Sequence, residues 1–217
     1  DVLAVESNKT AGIFKVEIPA DVFSSTKQDN LKTLEITDPR GVQVKVNLSE
    51  LSKQLDSISN FKMLNVEISQ YNFDTGLFDV KVQAINSNDV AQSITTDKSY
   101  MKVKIPLNFF VDGKALNEKV LLKSTDGTLS AISHVMTDTH VTLNLKQAGT
   151  FKFAEPNVGF NDIEKLSTKE EVLYLANRQI IKGKEGGIFD PHAEITRAQF
   201  ARMVSRALGL VPSDAEV

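Results

Sequence analysis

The histidines are the first residues in this chain whose type and spacing suggest chemistry. His134 and His140 lie an even number of residues apart, so on a strand pair they could share a face. With Asp138 between them a metal site is conceivable, but no third ligand follows at a recognisable spacing. A hairpin with incidental histidines is the simpler reading. His192 follows Pro191 in a turn and has no evident partner. Ser, His and Asp are scattered along the chain, yet no Gly-x-Ser-x-Gly elbow occurs. Phosphate-loop and dinucleotide fingerprints are also missing, and no pair among the 28 acids stands out as a glycosidase couple. There is no cysteine, which excludes thiolate catalysis, zinc fingers, iron–sulfur sites and disulfide frameworks while leaving the compartment open. The aromatics are mostly Phe at core spacing. Tyr71 and Tyr100 are the candidates for a sugar-stacking platform in this part of the chain, and both read better as edge or core residues. The chain is read as non-catalytic, with no cofactor and no metal.

Arg197 is a better candidate. If Thr196 caps a helix, Arg197 takes its first position, where the helix dipole already presents partial positive charge. A cation there is mildly unfavourable. Free backbone N–H groups beside a guanidinium instead form a sensible seat for a carboxylate. The competing reading pairs Arg197 with a nearby acid, Asp190 or Glu194.

Two hydrophobic periods organise the elements that must position these residues. From Ala11 to about Ala154 the period is two, as in Ile13-Phe14-Lys15-Val16-Glu17-Ile18, which stops at Pro19. Thr33 to Thr37 and Val42 to Val46 flank Asp38-Pro39-Arg40-Gly41 and predict a β-hairpin. Alternation recurs in Met63 to Ser69, Phe78 to Ile85, Tyr100 to Ile105, Val120 to Ser124, Leu129 to Val135, His140 to Leu145 and Thr150 to Phe153. Asp112-Gly113 and Asp126-Gly127 mark turns. Eight to ten such strands point to an antiparallel β-sandwich. Leucines 48, 51 and 55 predict one short helix across an end of it. After Pro156 the period becomes 3.6. Ser167 or Thr168 can open a capping box with Glu170 or Glu171, starting a helix that carries Val172, Leu175 and Ala176, with Ile180 as a further apolar position, and ends before Gly183. In that reading Gly183 closes the helix with positive φ. A second helix starts after Thr196, with Gln199 completing its capping box. Phe200, Met203, Val204, Ala207 and Leu208 then recur at helical spacing until Gly209. Residues 1–155 are therefore expected to form a β-sandwich domain, and residues 156–217 a helical module followed by the start of a linker.

The order of signals in that module resembles an S-layer homology (SLH) repeat. Phe160-Asn161-Asp162-Ile163 comes first, then Leu175-Ala176-Asn177-Arg178-Gln179-Ile180-Ile181-Lys182-Gly183. Gly187-Ile188-Phe189-Asp190-Pro191, Ile195-Thr196-Arg197-Ala198-Gln199-Phe200 and Arg206-Ala207-Leu208-Gly209-Leu210 complete the series, so the resemblance covers residues 160–210. It implies cell-wall anchoring: such repeats bind secondary cell-wall polysaccharides, often pyruvylated, and three repeats usually assemble into a bundle with grooves between them. The expected partners are thus that polysaccharide and neighbouring SLH repeats of the same or another chain, and the expected location is secreted, at the cell wall or S-layer. The family's Thr-Arg-Ala-Glu motif falls on Thr196, Arg197, Ala198 and Gln199. With Asp162 and Gly183, the residues Thr196, Arg197 and Gln199 form the implied polysaccharide-binding set. Asp162 could orient Arg197, hydrogen-bond sugar hydroxyls or cap the following turn. The chain departs from the family in having no Trp, with Ser167 and Thr168 about where an aromatic would fall, and Gln199 in place of the motif Glu.

Composition narrows the alternatives. With 25 Lys+Arg against 28 Asp+Glu and no block of like charge, nothing is built to grip nucleic acid or an anionic membrane. The longest apolar runs, such as Ile105 to Val111, are too short to span a bilayer. The chain opens on Asp1 without a basic-then-apolar stretch, so no signal peptide is expected in it, and it reads as an excised piece of a longer protein. The alternative to an anchoring fragment is the non-catalytic C-terminal part of a surface glycoside hydrolase, its sandwich binding or presenting polysaccharide. A third reading makes the sandwich an adhesion module.

Overall fold

The computed structural model describes residues 2–6, 12–28, 31–72, 77–96, 101–107, 120–125, 128–132, 134–154, 157–208 and 210. The alternating runs form strands because each puts apolar side chains on one face and polar ones on the other. One sheet contains β1 (Val2–Glu6), β3 (Thr33–Thr37), β4 (Gln43–Asn47), β8 (Met101–Pro106), β12 (His140–Leu145) and β11 (His134–Met136), in that order. The second runs β10 (Thr128–Ala131), β9 (Val120–Thr125), β13 (Thr150–Ala154), β6 (Leu77–Asn86), β5 (Phe61–Asn72) and β2 (Ile13–Pro19), with β7 (Ala91–Ser93) also paired to β6. Both sheets contribute to one hydrophobic cluster. Leu34, Ile36, Val44, Val103, Ile105 and Leu143 come from the first, and Leu64, Val66, Ile68, Phe78, Val80 and Phe151 from the second. The other faces carry cross-strand charge rows. Lys45 sits opposite Glu35 and bonds it at 2.8 Å, and Lys81 sits opposite Glu67 at 2.8 Å.

The expected hairpin is present, with Thr33 opposite Asn47 and Thr37 opposite Gln43. Its turn is fixed by Asp38, whose buried Oδ1 accepts the N–H groups of Arg40 and Val42, both at 2.9 Å. Gly41 adopts φ +85°, which favours glycine, and a Cβ there would also crowd the Pro106 ring at 3.1 Å. Arg40 pairs with Asp38 Oδ2 and reaches the Ile68 carbonyl at 3.3 Å, tying this hairpin to the other sheet. The leucine-spaced helix is α2 (Leu48–Ser57), capped by the Asn47 side chain on the Glu50 N–H. Leu48, Leu51 and Leu55 enter the core.

Three features depart from expectation. The first sheet is not wholly antiparallel, because β1 pairs parallel with β3. A short helix, α1 (Ala20–Gln28), follows β2 directly and buries Phe23 edge-on against Phe61. Finally, the run from Leu129 to Val135 is two strands in different sheets: the chain leaves β10 in one and enters β11 in the other. The turns expected at Asp112-Gly113 and Asp126-Gly127, and Tyr100, lie outside the described residues.

C-terminal to the sheets come α3 (Lys169–Asn177) and α4 (Arg197–Ala207), and α4 packs against the edge strand β11.

Candidate functional site

The histidine pair does not converge. In the β11–β12 register His134 stands opposite Leu143 and Met136 opposite Val141, so His134 shares the face of the buried Leu143. His140 alternates with Val141 and therefore belongs to the other face. Among the described residues no group of three or more His, Cys, Asp or Glu is placed to hold a metal.

The C-terminal region is built around polar staples and very few buried apolar groups. Ile163 and Ala176 are its fully covered apolar side chains among the described residues. Asp162 accepts the N–H of Phe189 at 2.8 Å through Oδ1 and that of Asp190 at 2.7 Å through Oδ2. These bonds, the one from Phe189 foremost, lower its pKa below the usual aspartate value, with further help from the charge of Lys184. Of the three roles open to Asp162, the geometry shows a cap, though on a turn far along the chain. Asn161 reinforces that closure: its N–H bonds the Gly187 carbonyl at 2.9 Å and its Nδ2 the Gly186 carbonyl at 3.2 Å. Gly186 and Gly187, at φ +76° and +72°, turn the chain between Lys184 and Ile188, which form an antiparallel bridge.

Gly183 has a different role from the one expected. α3 ends at Asn177, and the left-handed residue after it is Gln179, at φ +58°. Gly183 lacks a positive φ. It is small because Phe160 lies against it: a Cβ would overlap that ring and come within 2.6 Å of the Ile188 carbonyl oxygen. Phe160 in turn packs on Phe189, ring centroids 5.3 Å apart. The start of α3 also differs from the sequence reading. Thr168 is the N-cap residue but its side chain makes no capping bond, and no capping box forms. Its backbone sits at φ −102°, ψ 22°, outside the extended conformation that aims a cap side chain at the third N–H. Lys169 instead reaches Glu164 at 2.8 Å.

The second helix forms as the sequence predicts. Thr196 is extended, its Oγ1 accepts the Gln199 N–H at 3.1 Å, and Gln199 Oε1 accepts the Thr196 N–H at 2.8 Å. Thr196 and Gln199 thus complete the first turn of α4. Arg197, at its first position, is exposed, and its side chain makes no ion pair or hydrogen bond among the described residues. Asp190, one proposed partner, pairs with Lys184 instead. Beside Arg197 runs an open apolar stripe, Phe200, Val204 and Leu208, flanked by Ile195 and Leu210. Among the described residues, the arrangement offers an unpaired guanidinium at a capped helix start, next to exposed apolar side chains.

Residues 159–201 match the model of the S-layer homology domain. No curated protein and no solved structure matches the chain. The S-layer homology match spans the Asp162 closure, α3 and the start of α4, and so includes Asp162, Gly183, Thr196, Arg197 and Gln199. S-layer homology domains bind cell-wall polymers, which assigns the chain to cell-surface anchoring and to a cell-surface or S-layer location. Among the described residues no helix is long and apolar enough to cross a membrane.

Residue-level reasoning missed the aromatic–cation pair of this region. The Arg178 guanidinium stacks 3.6 Å from the centre of the half-exposed Tyr174 ring, at the end of α3. The signal was an i, i+4 spacing of Tyr and Arg, masked by the apolar residues that set the helical period.

Proposed function

We propose that the chain is a non-catalytic part of a secreted surface protein that holds to the envelope through secondary cell-wall polysaccharide, with Arg197 meeting a carboxylate of that glycan. The observation that carries this reading is Arg197 itself. It is a cation placed where the helix dipole disfavours it, at the first position of a well-capped helix and without a partner among the described residues. A pyruvate ketal would supply the missing anion. Thr196 and Gln199 serve the site by shaping the helix start, Asp162 by holding the loop before it, and Gly183 by letting Phe160 close on the turn. The second element of the proposal is a neighbouring S-layer homology repeat, from the same or another chain, laid on Phe200, Val204 and Leu208. These are large apolar groups in line on one helix face, and isolated α-helices with such faces are stabilised by partners.

Calorimetry with purified wall polysaccharide, using the protein with its full set of repeats, tests the glycan contact. Arg197→Lys should weaken binding, because an ammonium cannot reproduce a two-pronged contact. Arg197→Gln should weaken it further, about tenfold or more, with thermal stability nearly unchanged. Equal affinity of Arg197→Gln and the parent protein would remove Arg197 from the site.

A further inference from the structure

The junction between the two-sheet region and the S-layer homology repeat contains a titratable ring with an unusual environment. His134 lies on the edge strand against which α4 packs. Its Nδ1 is 2.9 Å from the Ile132 carbonyl oxygen, which can only accept, so Nδ1 carries the hydrogen. In the neutral ring the lone pair is therefore on Nε2, and Nε2 is buried with no hydrogen-bond partner among the described residues. A charge acting on it comes from the other region: Arg178, buried at the end of α3, opposes a positive charge on the ring.

We propose that His134 is a proton-operated latch, in which protonation of Nε2 releases the S-layer homology repeat from the edge of the two-sheet region. A proton added at Nε2 in the packed state would have no acceptor among the described residues and would be opposed by the Arg178 charge. Separation of the two regions would give that N–H to water and remove the guanidinium. α4 brings Arg197, Arg202 and Arg206, all cations, and β12 places Leu143 opposite the ring. His140 stands on the opposite face of β12, and Asp138 is in the exposed turn before it.

The sign follows from linkage. Burial first, then Arg178, lower the pKa of His134 below its ordinary 6.5, against the opposing effect of the Ile132 bond. The packed state thus binds fewer protons than the separated one. Packing is at full strength above about pH 6.5 and weakens below it, by up to about tenfold per pH unit, until the packed-state pKa is passed.

The chain has no cysteine, so Lys102→Cys and Glu171→Cys, both at exposed positions, allow a dye pair to report the separation of the two regions. In the intact chain, energy transfer should change reversibly between about pH 7.5 and about pH 5, while His134→Phe should hold it flat. His134→Gln serves as a second uncharged replacement should the Phe variant fail to fold. In parallel, nitrogen-detected spectra of the wild-type ring should show it titrating below its ordinary value. A flat wild-type response, an unchanged response in the folded variants, or a ring that titrates at or above about 6.5 would each overturn the latch.

Discussion

The two-sheet region and the S-layer homology repeat hold themselves together by different means. The sheets close over a continuous set of fully buried Leu, Ile, Val and Phe side chains drawn from both layers. The repeat has Ile163 and Ala176 inside, and its second helix has no buried residue among those described. Its shape comes from directed polar contacts: the two bonds to Asp162, the two from Asn161, and the reciprocal bonds of Thr196 and Gln199. Burial is the larger stabilising force per residue, while such bonds mainly define geometry. The contrast suits the proposal that neighbouring repeats cover these helices, while the β region supplies its own cover.

Substitutions in the two regions should separate these modes, beginning with the core. Phe151 is fully buried and stacked on Phe78, centroids 5.2 Å apart. Phe151→Ala should cost about 3–5 kcal/mol in chemical denaturation, the range for a large aromatic lost from a packed interior. A cost under about 1 kcal/mol would mean the two-sheet core tolerates voids and would weaken the comparison. Next in size is Gly183→Ala, where a methyl group would be forced against Phe160 and the Ile188 carbonyl. About 1–3 kcal/mol is expected, confined to the repeat, so amide exchange should quicken around residues 157–208 and stay unchanged in β5 and β6. Uniform loss of protection along the chain would show that the two regions unfold as one.

How far the sequence disclosed all this depends on the residue. Thr196 and Gln199 announced their helix because a capping box is local chemistry, and the hairpin at Asp38 to Gly41 was legible for the same reason. The same pattern at Thr168 misled, since the backbone there never reaches a capping conformation. α1 carries β-branched and hydroxyl residues with little helical preference, and is held by the long-range contact of Phe23 with Phe61. The break between β10 and β11 had no Gly or Pro to mark it, only a slip of the alternation at Ala131-Ile132. At the site, Arg197 was visible as a charge in the wrong end of a dipole. Gly183 was misread because a close aromatic ring leaves no trace in the neighbouring sequence.

Smaller effects sharpen the contrast further. Thr196→Ala removes half of the capping box and should cost about 1 kcal/mol, read as lost helical circular dichroism in the repeat. Cleavage by a protease should then appear at the start of α4 before anywhere else in residues 157–208, and an unaltered pattern would deny the cap its role. Asp162 adds a pH signature. Its pKa is lowered in the folded repeat, so its contribution is present above the unfolded value near 3.8 and is lost as pH falls through the lower folded one. Order around Phe189 and Asp190 should therefore persist at pH 5 and fade below about pH 4, as amide chemical shifts would report. The smallest effect on stability belongs to Phe200→Ser, at an exposed position, which should leave the melting temperature within about one degree. It should nevertheless reduce self-association in sedimentation, and a large stability loss instead would show that the stripe is covered within the chain.

The parallel pairing of β1 with β3 has a mechanical consequence for a protein held at a cell surface. Val2 to Glu6 lie in register against Thr33 to Thr37, with evenly spaced hydrogen bonds along the pair. A pull on Val2 along the strand axis therefore loads all five register positions together, in shear, and cannot peel them apart one at a time. An antiparallel hairpin opened from its ends would yield sequentially at far lower force. Tension that reaches the two-sheet region through this strand meets its resistance at the first element, before any of the core is disturbed.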